Sequence, residues 1–281
     1  MSTCKICPRH CKIDRNIEYG LCKALWNPVV SSVMIHRGEE PPISGSRGSG
    51  TVFFSGCNLS CVFCQNHDIS QDGLGTTTTI DELVDIFHSL ESKMVHNINL
   101  VTPSHFAPPI AEAIKRSKVQ GVKVPFIYNT GGYDAISSLK LMEGLIDVYM
   151  PDLKYGSDVL GQRYSGVSDY FTVATQALQE MNRQVGTPVY EKGIMLKGLF
   201  IRHLVLPNQS DDSIAVLNWI KRNVPSAGVS LMAQYSPQFN ANKHEEINRR
   251  LTPDEYRRVV SHFKDIGLNE VYMQQIHGLL Y

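Results

Sequence analysis

The sequence predicts an α/β fold, with a small cysteine-rich cap and connector over residues 1–50 and a βα-barrel domain over residues 51–281. Two observations carry that expectation: short apolar runs alternate with helix-period segments after residue 50, and all seven cysteines lie in the first 64 residues. Alternation of this kind calls for parallel strands joined by helical crossovers. An odd number of cysteines followed by a long cysteine-free stretch argues against a secreted disulfide scaffold and for thiols that hold metal.

The N-terminal 50 residues carry four cysteines, few apolar runs and the tract PPISGSRGSG, which reads as a loop-like connector. Six strands are expected at 51–55, 98–102, 125–129, 145–150, 199–206 and 228–234, each short, apolar and ended by polar, Gly or Pro residues. Helices are expected between them at 80–93, 109–119, 135–143, 170–184 and 213–222, with a last one at 253–266. Thr252 reads as the N-cap of that last helix, with Pro253 at its first position and Glu255 in its first turn. Six such units fit an open or closed βα barrel, a fold whose chemistry gathers at the C-terminal ends of the strands.

At 281 residues and 42% hydrophobic content the chain can bury a full core. Lys+Arg and Asp+Glu both number 27, which removes any electrostatic ground for a nucleic acid or an anionic membrane as partner. The start, MSTCKICPRHCKIDR, lacks the apolar core of a signal peptide, and no stretch approaches the roughly 20 apolar residues that span a bilayer. A soluble cytoplasmic protein is therefore expected.

The sharpest chemical signal is TVFFSGCNLSCVFC, a strand that runs straight into Cys57, Cys61 and Cys64 at C-x3-C-x2-C spacing. Three thiolates hold three irons of a cubane cluster, whereas a structural cluster takes four. The fourth iron is left open, as a catalytic metal requires. Gly56 lets the backbone wrap closely round such a group. On residues alone, a zinc site or a cluster with a distant fourth cysteine is the alternative. A separate quartet, Cys4-x2-Cys7-x3-Cys11-x10-Cys22, has enough ligands for one closed tetrahedral site. Zinc or an auxiliary iron–sulfur cluster fits it, against a metal-free tail.

The segment VFFSGCNLSCVFCQNHDIS resembles the cluster segment of the radical S-adenosylmethionine superfamily, most closely the activases of glycyl radical enzymes, of which the pyruvate formate-lyase activating enzymes are the nearest. The likeness continues through Met150-Pro-Asp152-Leu-Lys154, Tyr164-Ser-Gly-Val-Ser-Asp169 and Ile201-Arg202-His203-Leu-Val-Leu-Pro207-Asn-Gln-Ser-Asp-Asp212, covering roughly residues 50–235. This resemblance implies a partial (β/α)6 barrel whose [4Fe–4S] cluster, on Cys57, Cys61 and Cys64, binds S-adenosylmethionine at its open iron. It implies reductive cleavage to methionine and a 5′-deoxyadenosyl radical, which then abstracts hydrogen from a glycyl radical enzyme. A reductant such as flavodoxin or ferredoxin is the implied electron donor. A small molecule or another peptide is the rival substrate, and a non-catalytic iron–sulfur or zinc protein is the rival from another class. C-x2-C-P-x2-C at the N-terminus resembles segments of uncharacterised relatives of the activases.

Secondary positions follow from the same alignment of motifs and from strand geometry. Phe63, beside the last cysteine, is expected to pack on the adenine ring. Where the family has a Gly-Gly-Glu motif for the amino group of S-adenosylmethionine, this chain has Leu100-Val-Thr102-Pro-Ser104-His105. Thr102 and Ser104 are the expected hydroxyl acceptors there, weaker partners than a carboxylate, with an ordinary turn as the alternative. Asn129, in Asn129-Thr-Gly-Gly132, is expected with its exposed backbone to bind ribose or the methionine carboxylate, against a glycine pair that only punctuates a loop. Asp152 and Lys154, two apart on a strand, share a face and are expected at the barrel mouth, against a surface ion pair. Arg202 and His203 face opposite sides. Arg202 is expected inward, gripping a carboxylate through its fork, and His203 is expected to be structural. His67, His105, His244 and His277 have no second ligand at metal spacing and receive no role.

Overall fold

The structure, a computed structural model, describes residues 3–274. Residues 3–28 form turns without helix or strand. β1 (Val29–His36) follows, then the short helix α1 (Pro41–Ser44), β2 (Ser49–Phe54), the short α2 (His67–Ser70) and β3 (Thr76–Thr77). Next come α3 (Ile80–Ser92), β4 (Ile98–Val101), α4 (Ala107–Val119), β5 (Phe126–Thr130), α5 (Ile136–Met142) and β6 (Val148–Pro151). The last third holds α6 (Asp158–Ser165), α7 (Tyr170–Val185), β7 (Val189–Glu191), β8 (Ile194–Leu204), α8 (Ser210–Asn223), β9 (Gly228–Met232), α9 (Pro253–Asp265) and β10 (Glu270–Met273).

The strands form one sheet in the order β10-β9-β8-β6-β5-β4-β2-β1-β3, with β7 paired to β8 outside that path. From β2 to β10 every neighbouring pair along the path is parallel, while β1 runs antiparallel to β2 and β3. No pairing joins β3 to β10 among the described residues, so the sheet is an open barrel. Its staves are legible as apolar runs because parallel strands are covered on both faces, and β5 and β6 are buried throughout. Helix starts are equally explicit: Thr79 with Glu82 and Thr252 with Glu255 form capping boxes at α3 and α9. Leu83, Phe87 and Leu90 then set the buried stripe of α3 at helical spacing.

Two apolar layers result. The larger one packs the helices on the outside of the sheet. A smaller one joins Ile43 of α1 to Ile127, Val148, Met150, Met195 and Phe200, so α1 seals the inner face of the barrel against β8.

Two expectations are corrected here. Residues 29–50 do not act as a connector: β1 is a stave of the sheet and α1 packs against it from inside, leaving 3–28 as the irregular region. β1 escapes notice because VVSSVMIH mixes half-buried and exposed positions in no clean period. The strand at 228–234 is not the last, since β10 follows α9 and pairs with β9. Helix α6 is a further addition, a polar two-turn segment started by Ser157 and ended at the left-handed Gly166.

Candidate active site

β2 delivers the chain to Gly56, whose left-handed backbone (φ 81) turns it into the cysteine loop. A Cβ there would collide with the carbonyl of Cys22 and stand 3.1 Å from His105 Nε2. Within the loop the Leu59 N–H donates to Cys57 Sγ at 3.4 Å. Ser165 Oγ lies 3.0 Å from Cys61 Sγ, and Ser70 Oγ lies 3.2 Å from Cys64 Sγ. The loop is anchored to the end of α6, with Ser60 N–H donating to Ser165 O at 3.0 Å and Val62 N–H to Tyr164 O at 2.9 Å.

Burial pushes the Cys57 thiol up to about 12, and neighbouring Cys61 adds to the rise. Burial also raises Cys61, against the pull of the Lys154 ammonium. Thiols in this setting ionise only when nearby positive charge replaces lost solvent, and the irons of a cluster supply that charge. The donor set therefore fits a cluster held by Cys57, Cys61 and Cys64. No three His, Cys, Asp or Glu side chains converge as ligands of a single ion among the described residues.

Beside the loop lies a cavity of about 510 Å³, lined by Cys61, Phe63 and Cys64 at one wall and by Glu39, Asn129, Asp152, Lys154 and Arg202 at another. That volume suits a ligand of cofactor size. Lys154 Nζ meets Asp152 Oδ2 at 2.6 Å. Arg202 donates through Nε to Asp152 Oδ1 at 3.2 Å, through Nη1 to Glu39 Oε2 at 3.2 Å and through Nη2 to Asn129 Oδ1 at 2.8 Å. The second Glu39 oxygen accepts from Asn99 Nδ2 at 3.2 Å. Burial works against the charge on Lys154, but the Asp152 carboxylate outweighs it and holds the ammonium protonated. Burial likewise opposes ionisation of Asp152, and Lys154 and Arg202 together keep its carboxyl below the usual range. Two cations and two carboxylates thus balance inside the cavity.

The Gly131–Gly132 pair holds this wall in place. Gly132 (φ 81) presses on the Asp152 backbone so closely that a Cβ would collide with its carbonyl. Tyr170 Oη accepts the Lys154 N–H at 2.9 Å and donates to Gly131 O at 2.8 Å.

Against this geometry, the family description "Radical SAM superfamily" matches residues 51–220, more than half of the chain and the stretch that supplies Cys61, Phe63, Cys64, Asn129, Asp152, Lys154 and Arg202 to the cavity. The chain belongs to the radical SAM superfamily. Over 279 residues it is 29% identical to "Uncharacterized protein MJ0674" of Methanocaldococcus jannaschii, covering 96% of this chain and 76% of that one. Among solved structures it is similar to Streptococcus suis SuiB bound to precursor peptide SuiA, with a TM-score of 0.56, 13% identity and coverage of 79% of this chain and 47% of SuiB. A radical SAM methyltransferase from Sphaerobacter thermophilus matches with a TM-score of 0.52 and 10% identity, over 79% of this chain and 66% of that one. The chain thus spans about half the length of SuiB.

Several of the expected radical SAM positions meet in the cavity and others do not. Phe63 lines it and packs edge-on against Tyr235 at 5.6 Å. Asn129, Asp152 and Lys154 line it too, with Asp152 and Lys154 sharing a face and bonded to each other. Arg202 points inward as well, and its nitrogens go to the carboxylates of Asp152 and Glu39 and to Asn129 Oδ1. Ser104 turns away. Pro103 and the turn after it carry Ser104 into the core, where its Oγ meets Thr130 Oγ1 at 2.9 Å beside the buried Asp134. Thr102 has a left-handed backbone (φ 59) and is not among the side chains lining the cavity.

His203 is buried, its Nδ1–H donating to Leu153 O at 2.7 Å and its Nε2 accepting from Ser213 Oγ at 2.9 Å. Burial lowers it to about 4, so it stays neutral and structural. His105 is buried against Ser55 O and lowered to about 3 by the same cause. His67 stacks on Phe239 and His244 on the edge of Tyr164, while His277 lies outside the described residues. Sequence reasoning missed Glu39, Ser165 and Tyr170. Only Ser165 had a signal, since it sits inside the Tyr164–Asp169 motif.

No helix of the described residues is long and apolar enough to cross a membrane.

Proposed function

We propose that this radical SAM chain holds a [4Fe–4S] cluster on Cys57, Cys61 and Cys64, binds S-adenosylmethionine in the adjoining cavity and removes one hydrogen atom from a backbone glycine of a glycyl radical enzyme. The observation that carries the reading is one cavity with the free thiols of Cys61 and Cys64 on one wall, Cys57 in the same loop, and the Asp152–Lys154–Arg202 constellation on another. When bound and reduced, the cluster supplies the electron that splits the sulfonium of S-adenosylmethionine into methionine and a 5′-deoxyadenosyl radical.

The side chains position and shield. Lys154, held by Asp152, sets a fixed positive charge near Cys61 and offsets the negative charge of a thiolate-bound cluster. Asn129 and Asp152 offer oxygen acceptors, and Phe63 with Tyr235 provides an apolar face for the nucleobase and excludes water. The electron enters from a low-potential donor of the flavodoxin or ferredoxin class, and the N-terminal quartet Cys4, Cys7, Cys11 and Cys22 holds a second metal, zinc or iron–sulfur. Resemblance to the glycyl radical activases favours a protein substrate, as does the likeness to SuiB, a protein solved with a precursor peptide. The missing Gly-Gly-Glu carboxylate keeps a different peptide or a small molecule as the second reading.

The test is anaerobic reconstitution, reduction and assay for 5′-deoxyadenosine. Formation of that product is expected, and its absence with a loaded cluster would overturn the reading. A candidate glycyl radical enzyme carrying deuterated glycine should then pass deuterium into 5′-deoxyadenosine. Label arriving only from another peptide or a small molecule reassigns the substrate.

A further inference from the structure

The outer edge of β1 is open where it nears the cavity. Gly50 N–H donates to Asn97 O at 2.9 Å, so residue 50 of β2 directs its backbone groups to the β4 side. Its alternates Ser49, Thr51 and Phe53 therefore turn theirs to β1, where they face His36, Met34 and Ser32. Val33 and Ile35 lie between those three and direct N–H and C=O away from β2. On that side β3 covers only Val29 and Val30, and no strand of the described residues pairs with Val33 or Ile35. An open edge is a template for another strand, and folded proteins blunt it with lysine, proline or a covering element. The run VVSSVMIH has neither Lys nor Pro. Val33 is 39% exposed and Met34 45%, and adjacent strand residues point to opposite faces, so β1 is accessible here from both faces. The edge also runs to the cavity: His36 ends the strand, and His36, Gly38 and Glu39 line the same cavity as Cys61 and Arg202. At about 3.3 Å per residue, a backbone laid opposite Ile35 is one step from that rim.

A glycine has no side chain to be recognised by. An enzyme that takes hydrogen from one must hold the chain around it, and a strand ladder does so through the N–H and C=O groups of the main chain. Resting on the peptide-substrate reading above, we propose that the free edge of β1 at Val33 and Ile35 receives an extended segment of the peptide substrate as an added strand and leads it into the cavity. The N–H and C=O groups of Val33 and Ile35 supply the hold. The exposed Val33 and Met34 side chains flank the added strand on its two faces and favour apolar or β-branched residues beside them.

The experiment uses the full chain, wild-type and Val33→Pro, with a labelled, capped peptide of alternating valine and threonine around one glycine. Two isomers of that peptide are N-methylated on one or the other set of alternate residues. Proline at 33 removes an N–H that faces outward and leaves the β2 ladder intact. The readouts are hydrogen exchange amide by amide and peptide affinity by fluorescence anisotropy. In the free wild-type chain the Val33 and Ile35 amides should exchange faster than those of Ser32 and Met34, and the parent peptide should slow Val33 and Ile35 alone. One N-methylated isomer should bind like the parent and the other about tenfold more weakly, and Val33→Pro should weaken the parent by a similar factor, the worth of a hydrogen bond. Unchanged exchange with the parent peptide, equal binding of the two isomers, or wild-type affinity in Val33→Pro overturns the proposal, and the first two need no variant to fold. Protection of Val33 and Ile35 in the free chain overturns it as well. Protection that rises with protein concentration places a second copy on the edge, and protection lost on deleting residues 275–281 places the chain's own end there. Formation of 5′-deoxyadenosine without peptide, which Val33→Pro should leave unchanged, is measured alongside. Its absence in wild-type protein with a loaded cluster sinks the function proposed above, while exchange and affinity still judge the edge.

Discussion

The barrel and the cap solve the same problem, holding cysteines in place, by opposite means. Around Cys57, Cys61 and Cys64 the chain relies on a sheet whose central staves are fully buried and on helix ends with complete caps. Around Cys4, Cys7, Cys11 and Cys22 it has turns alone, and several of its large apolar residues face water: Ile17 is 75% exposed, Tyr19 69% and Leu21 65%, while Ile6 and Ala24 reach the core. Apolar burial therefore contributes more to the first region than to the second. The difference teaches that order in a protein need not have one source, and that each region should fail under its own kind of insult.

The largest expected effect separates chemistry from fold. Replacing Cys57, Cys61 or Cys64 with Ala should abolish 5′-deoxyadenosine formation, since under the proposed function each thiolate would hold one iron, while circular dichroism of the barrel remains that of wild type. Retained cleavage in any one variant would remove that cysteine from the cluster.

A matched pair of leucines sharpens the contrast next. Leu100, with no exposed surface on β4, should cost about 2–5 kcal/mol of stability on replacement by Ala. Leu21→Ala in the cap should stay within about 0.5 kcal/mol. Denaturant midpoints compare the two, and equal costs would mean that the cap is packed after all.

Asp152→Asn comes third. With Lys154 and Arg202 both bonded to that carboxylate, its neutralisation should cost about 2 kcal/mol of stability and weaken S-adenosylmethionine binding while the cluster still assembles. Binding and stability both at wild-type values would place the pair outside the site.

The smallest effect is one of pH and belongs to the barrel alone. Burial pushes the Asp212 carboxyl up to about 6, against the Gly156 N–H that it accepts at 2.8 Å. An acid raised in the folded state is protonated there while already ionised in the unfolded chain. Its contribution to stability is thus complete below the unfolded value near 4 and is lost as pH rises through about 6. Stability measured from pH 4 to 7 should carry this falling component, and Asp212→Asn should remove it. An identical pH profile in the variant would show that Asp212 titrates normally.

Much of the barrel was legible because parallel staves read as uninterrupted apolar runs and because Thr252-Pro253 marks a helix start. The cysteine loop was legible for a different reason: its spacing is local, so no knowledge of the fold is needed to see it. What stayed hidden depends on distance. Glu39 reaches Arg202 across 163 positions of sequence, so nothing near either residue announces the pair. Strand periodicity turns Arg202 inward but does not name its partners, because they come from β5, the residue after β6 and the segment before α1. Ser104 failed for a third reason, as a proline turn redirected a strand end into the core.

The apolar plug that α1 forms inside the barrel sets Ile43 among five apolar neighbours from β5, β6 and β8. That layer offers no polar group to an ion or a proton, so the charged constellation of Asp152, Lys154, Arg202 and Glu39 is insulated on that side by surface in which an unpaired charge is costly.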